Sequence, residues 1–141
     1  MRARRLFGMV AVGLLIFAAT IAARLQSDKT ELHGAWSGVQ SQVAKAIRVF
    51  KPGEVKLVFD GGKLTSTGLL GPETTVVEVR VDSTRKPKEF DFTRKPGDVA
   101  KCIYELSGDS LTFAFMRATN ERPKTIDPSS TAQIVVTLKR Q

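Results

Sequence analysis

A chain of 141 residues has room for one ordinary domain once a terminal targeting segment is set aside, and its single cysteine, Cys102, excludes an intramolecular disulfide and a thiolate metal cluster. The formal net charge of +8 invites a nucleic-acid reading, but Arg2, Arg4, Arg5 and Arg24 all flank one hydrophobic run, and setting them aside halves the charge to +4. What remains is spread along the chain, so a dedicated phosphate-binding surface is not expected.

In chain order, residues 1–24 come first: Met1-Arg2-Ala3-Arg4-Arg5, an uncharged apolar stretch from Leu6 to Ala23, then Arg24. A basic start keeps one end of such a helix in the cytoplasm while the apolar part enters lipid, so the segment reads as a signal peptide or a transmembrane signal anchor. The chain is therefore expected to be exported, and to be either secreted into the periplasm or held in the inner membrane by residues 6–23. Residues 25–31 form a polar linker, and residues 32–141 the folded domain.

Beyond the linker the pattern changes to strands and turns. Ser37 to Phe50 is ambiguous: Val39, Val43, Ala46, Ile47 and Phe50 recur at spacings of three and four, which predicts a short amphipathic helix ending at Lys51-Pro52-Gly53, with a bent strand as the alternative. Val55, Leu57 and Phe59 then alternate with charged residues, and Asp60-Gly61-Gly62 supplies a hairpin turn into Lys63–Thr67. A β-branched strand from Glu73 to Val81 puts Thr75, Val77, Val79 and Val81 on one face.

Phe90 and Phe92 alternate with Glu89, Asp91 and Thr93 ahead of the turn at Lys95-Pro96-Gly97. Val99–Leu106 and Ser110–Met116 flank Ser107-Gly108-Asp109, with Leu111, Phe113 and Phe115 sharing a face of the second strand. Arg117 to Ser130 carries two prolines and no apolar period, and reads as a long loop. Ile134–Lys139 is the last strand. Seven or eight short strands with regular turns predict an all-β fold, a sandwich or a small antiparallel barrel.

Two features carry a resemblance. Leu32-His33-Gly34-Ala35-Trp36 contains Gly-x-Trp at the start of the first strand, similar to the opening of lipocalin-type barrels, and the last strand ends in Leu138-Lys139-Arg140. The resemblance implies a lipocalin-like barrel closed at one end by Gly34 and Trp36, the indole lying beneath Lys139 or Arg140 in a cation–π contact. Most of residues 32–140 also resembles a family of small exported proteins of planctomycete bacteria with no assigned activity. That likeness runs through Leu32-x-Gly34-x-Trp36, Lys86-Pro87-Lys88-Glu89-Phe90-Asp91-Phe92, Cys102-Ile103-Tyr104-Glu105-Leu106-Ser107-Gly108-Asp109-Ser110-Leu111, Arg122-Pro123 and Val136-Thr137-Leu138-Lys139-Arg140. It bears on architecture and says little about chemistry.

The chemistry is mostly a matter of exclusion. His33 is the only histidine, no ligand spacing marks a metal site, and the turn glycines lack the following helix and lysine of a phosphate cradle, so neither metal nor cofactor is expected. Glu89 and Asp91 lie two apart on one strand face, an arrangement open to acid–base chemistry, but alternation with Phe90 and Phe92 turns them to solvent, where nearby lysines are expected to partner them. Cys102 shares its face with Tyr104 and Leu106 and reads as a small buried hydrophobe.

A non-enzymatic role is therefore expected. The leading reading is a binding module whose interior holds a small hydrophobic molecule among Phe59, Val77, Val79, Phe90, Phe92, Tyr104, Phe113 and Phe115, although the same eight side chains could simply fill the barrel. The alternative is a membrane-tethered structural or interaction protein of the cell envelope, engaging a protein partner through the loop from Arg117 to Ser130.

Overall fold

Alternating side chains, punctuated by glycine turns, produce strands along the whole of the domain. The computed structural model describes residues 31–141, within which Leu32–Gln141 forms one compact unit. The signal or anchor segment at 1–24, and all of the 25–31 linker except Glu31, lie outside the described residues. The strands are β1 (Gly34–Val43), β2 (Ala46–Val49), β3 (Lys56–Asp60), β4 (Lys63–Thr67), β5 (Thr74–Asp82), β6 (Lys88–Lys95), β7 (Asp98–Ser107), β8 (Ser110–Met116) and β9 (Gln133–Arg140).

The sheet order is β2-β1-β3-β4-β5-β6-β7-β8-β9, and β1 also pairs with β9. Every pairing is antiparallel. The ring β1-β3-β4-β5-β6-β7-β8-β9 is thus a closed eight-stranded barrel, with β2 appended outside the ring. Closure removes the two sheet edges that an open arrangement of the same strands would expose. Because the strands alternate in direction, the turns 61–62, 83–87 and 108–109 gather at the end that holds Trp36. The hairpin at Ala44-Lys45, the β4–β5 loop, the turn at Pro96-Gly97 and the long segment 117–132 gather at the other.

The helix predicted over Ser37 to Phe50 does not form; this stretch is the β1–β2 hairpin. The three-and-four spacing of its apolar residues misleads because a second period runs through the same stretch. Gln40 and Gln42 lie on the outer face of β1, opposite Thr137 and Val135, while Ser41 faces inward opposite the fully buried Val136. Pairing with β9 therefore enforces strand periodicity, and tertiary pairing outweighs a weak local preference.

β1 also serves two partners on one side: Gly34–Ser37 pairs with β3, and Gln40–Val43 with β2. The changeover falls at Gly38, where the register with β9 shifts. A Cβ at Gly38 would stand 2.5 Å from Val55 Cβ and 2.9 Å from Phe50 Cδ2, closer than carbon atoms can approach. Glycine there lets Phe50 and Val55 lie against the strand and join the core. Gly68, at φ 79°, plays the same part for the β4–β5 loop, since a Cβ there would meet the Glu54 carbonyl oxygen.

Candidate functional site

The interior is the first candidate. All eight proposed lining residues, Phe59, Val77, Val79, Phe90, Phe92, Tyr104, Phe113 and Phe115, are buried members of one core cluster. Phe90 on β6 touches Phe59 on β3, with ring centroids 5.7 Å apart, although β4 and β5 separate those strands in the sheet. It also meets Phe113 on β8 at 5.1 Å and Tyr104 on β7 at 5.7 Å. Phe92 reaches Phe115 across β7 at 6.1 Å. Contacts between nonadjacent strands run through the lumen itself, so along these lines the space is taken up by side chains. Leu69, Leu70 and Ile134 pack on the same cluster. On β4 the Ser66 hydroxyl is buried with no hydrogen-bond partner.

One end is closed by Trp36, which is wholly buried. Its indole N–H donates to the Leu32 carbonyl at 2.9 Å, and the Arg140 guanidinium lies 4.2 Å from the ring centroid. Arg140 also donates to the His33 carbonyl at 3.1 Å, so the last strand holds down the turn that leads into the first. Of the two C-terminal cations, Arg140 makes the contact with Trp36; Lys139, one position earlier, projects to solvent opposite Ser37. Gly34, at φ 115°, lets the chain enter β1 with the Arg140 side chain alongside.

The carboxylates of β6 correct the expectation of lysine partners. Glu89 and Asp91 are only half-exposed, and both pair with Arg122, at 3.4 Å and 2.7 Å. Arg122 also donates to the Cys102 carbonyl at 2.9 Å. Burial works against the Arg122 charge, but the contact with Asp91 and then the attraction of Glu89 outweigh it, and its pKa is raised above the usual arginine value. Asp91 answers the partial burial of the guanidinium. Cys102 is buried, and burial, with Asp91 adding to it, pushes its thiol well above the ordinary value.

Arg122 belongs to the segment 117–132, which is a strap laid over the barrel wall. Asn120 accepts from Arg94 at the end of β6, Pro123 is buried, and Ile126 packs on Ile103, Ala114 and Val135 on the outer face of β7, β8 and β9. The buried Gln133 side chain accepts from the Asp127 N–H and donates to the Thr125 carbonyl. Finally the Ser130 carbonyl accepts from the Ala44 N–H at the tip of the β1–β2 hairpin. The sequence reading missed this second, external core; Ile126 and Arg122-Pro123, set in an otherwise polar stretch, were its only signal.

The side chains with acid–base capacity do not converge on one site. Tyr104 points into the barrel, Glu89 and Asp91 point out of it, and His33 is exposed near Asp60 at the Trp36 end. Among the described residues no group of three or more histidine, cysteine or carboxylate side chains is placed to hold a metal ion. A cleft of about 280 Å³ lined by Arg80, Val81, Asp82, Glu89, Phe90 and Asp91 is polar, and two of its carboxylates, Glu89 and Asp91, are already engaged by Arg122.

The second candidate is the strand outside the ring. All four residues of β2 are exposed, and among the described residues Ile47, Val49 and Val76 are the most exposed large aliphatic side chains, at 56%, 72% and 60%. The arrangement is that of a closed antiparallel β-barrel with a packed interior and one appended edge strand. No protein-family model, no curated protein and no solved structure matches the chain.

Proposed function

We propose that this chain is an exported, non-catalytic interaction protein of the cell envelope, secreted or tethered through residues 6–23, whose lipocalin-like barrel serves as a rigid scaffold. The observation that carries this reading is the contact of Phe90 with Phe59 across the lumen. For a hydrophobic molecule to be held there those rings would have to part, and rings packed at van der Waals contact give up dispersion and burial when separated. The basic-then-apolar N-terminus supports export, and the Trp36–Arg140 contact supports the lipocalin-like reading of the closed end.

The test has two arms. Native mass spectrometry of protein taken from its own host should return the mass of the polypeptide with no small-molecule adduct, and crosslinking in intact cells should trap one recurrent envelope protein. A stoichiometric lipid-sized adduct would replace the scaffold reading with the lumenal-ligand one. Fractionation that leaves the chain in the cytoplasm would remove the envelope assignment.

A further inference from the structure

Four exposed residues with one neighbouring strand are not enough to hold themselves in place. β2 is held at both ends by contacts outside its own ladder. At the tip, Ala44 donates to the Ser130 carbonyl of the strap. At the exit, Phe50 donates to the Val39 carbonyl and buries its ring, while Glu54 pairs with Arg48 and accepts from the Lys51 N–H. The edge is thus pre-formed, which lowers the ordering entropy a partner must overcome.

Register says what the edge offers. Val43↔Ala46, Ser41↔Arg48 and the Phe50–Val39 bond place the backbone groups of residues 46, 48 and 50 toward β1. Alternation in an antiparallel ladder then turns the N–H and C=O groups of Ile47 and Val49 outward, where no strand pairs with them among the described residues. Side chains obey the same period: Ile47 and Val49 lie opposite the outward-facing Gln42 and Gln40, with Lys45 and Lys51 bounding them two residues away on either side in sequence. Glu54 meets the Arg48 charge and also attracts Lys51, whereas Lys45 forms no ion pair among the described residues, so β2 and its flanks carry three cations against one carboxylate.

We propose that the β2 edge is a docking site for an extended acidic segment of another protein, added as one more strand, in which two alternating apolar residues are flanked at the same spacing by carboxylates. This rests on the interaction-protein reading above and names its surface. A second copy of this chain is the wrong occupant: antiparallel self-pairing that aligns Ile47 with Val49 also sets Lys45 opposite Lys51 at both ends, and like charges directly opposite repel. A purely protective edge would carry its charges where Ile47 and Val49 stand.

The probe is a seven-residue peptide, Glu-Thr-Val-Thr-Val-Thr-Glu with capped ends, titrated into the full chain and followed by amide chemical shifts. Shifts confined to residues 44–51 are expected, with binding weakened by salt and about tenfold weaker for the peptide carrying lysine in place of glutamate. Ile47→Pro removes an outward N–H without touching the β1 ladder and should abolish binding while leaving the melting temperature within about 2 °C. The double variant Lys45→Glu, Lys51→Glu should reverse the preference between the two peptides, so the proposal stays testable if Ile47→Pro fails to fold. Equal affinity for both peptides, shifts centred elsewhere on the barrel, or concentration-dependent dimerisation that Ile47→Pro abolishes would each overturn the proposal. None of these outcomes bears on the contents of the lumen or on export, so the edge and the scaffold reading fail separately.

Discussion

Replacing Phe90 by alanine tests the filled lumen directly. The side chain is 1% exposed and touches Phe59, Phe92, Tyr104 and Phe113, drawn from four different strands. Losing the buried ring forfeits about 2 kcal/mol of transfer free energy. Four rings anchored on separate strands of a closed barrel leave little freedom to collapse, so a void of roughly 80 Å³ should persist and add about 2 kcal/mol at ~24 cal/mol per Å³. The total, about 4 kcal/mol, corresponds to a fall of roughly 15 °C in melting temperature for a domain of this size. Urea denaturation gives the loss directly. A second measurement then distinguishes a filled barrel from a hollow one: xenon under pressure should raise the denaturation midpoint of Phe90→Ala, because a dry apolar void binds it and binding stabilises the folded state, and should leave the wild-type midpoint unchanged. An equal rise in the wild type, or a loss below about 1.5 kcal/mol in the variant, would mean that the lumen already contained space and that the ring contacts do not fill it.

Arg122→Ala should cost about 2 kcal/mol, because Glu89 and Asp91 are left half-buried without a counter-charge, and hydrogen exchange should show the strap amides near Ile126 opening faster while the β3–β4 hairpin stays protected. Ala44 holds φ at 55°, which strains any residue but glycine, so Ala44→Gly should stabilise by about 0.5–1 kcal/mol in thermal unfolding. Ser66→Ala removes a buried hydroxyl with no partner and should be neutral or stabilising by up to about 1 kcal/mol; a loss of more than that would point to an unseen bonded group in the barrel. The Cys102 thiol, raised by burial, ionises in the unfolded chain before it does in the folded one, so its contribution is intact below the ordinary thiol pKa and is lost as pH rises beyond it. Modification by a thiol reagent at pH 8 should accordingly proceed at the rate of global unfolding. The Glu54 carboxyl is held below its ordinary value first by the Lys51 N–H and secondarily by Arg48, so an NMR titration of Arg48→Ala should still find it lowered.

Strands β3 to β6 were legible because one face of each is more buried than the other, and period two is the direct imprint of that environment; in β7, β8 and β9 the inward alternation still showed, although Ile103, Ala114 and Val135 are buried on the outer face as well. Tyr104, Phe113 and Phe115 were legible as inward residues for the same reason. The β1–β2 hairpin was not, because β1 changes partners at Gly38 and β2 has no buried face to leave a pattern; an apolar spacing of three and four then arose from two unrelated causes. The strap was unreadable for a different reason: its hold on the barrel comes from three isolated residues, Arg122, Pro123 and Ile126, whose partners lie on strands distant in sequence. The occupancy of the lumen also escaped the sequence, since a lining and a filling use the same side chains and differ only in whether rings from opposite walls meet.

Barrel closure joins Trp36 to Arg140, so the ring is completed by the eight-residue strand β9. A protein emerging from a ribosome or a translocon N-terminus first therefore holds β1 with its β9-facing edge unsatisfied until β9 itself has been made, and contacts so far apart in sequence form slowly. A chain truncated before Gln133 would keep two raw edges, on β1 and on β8, each able to recruit strands from other molecules. One strand thus covers two edges at once: without β9 both the β1 and the β8 edge stay adhesive, and with it both are paired.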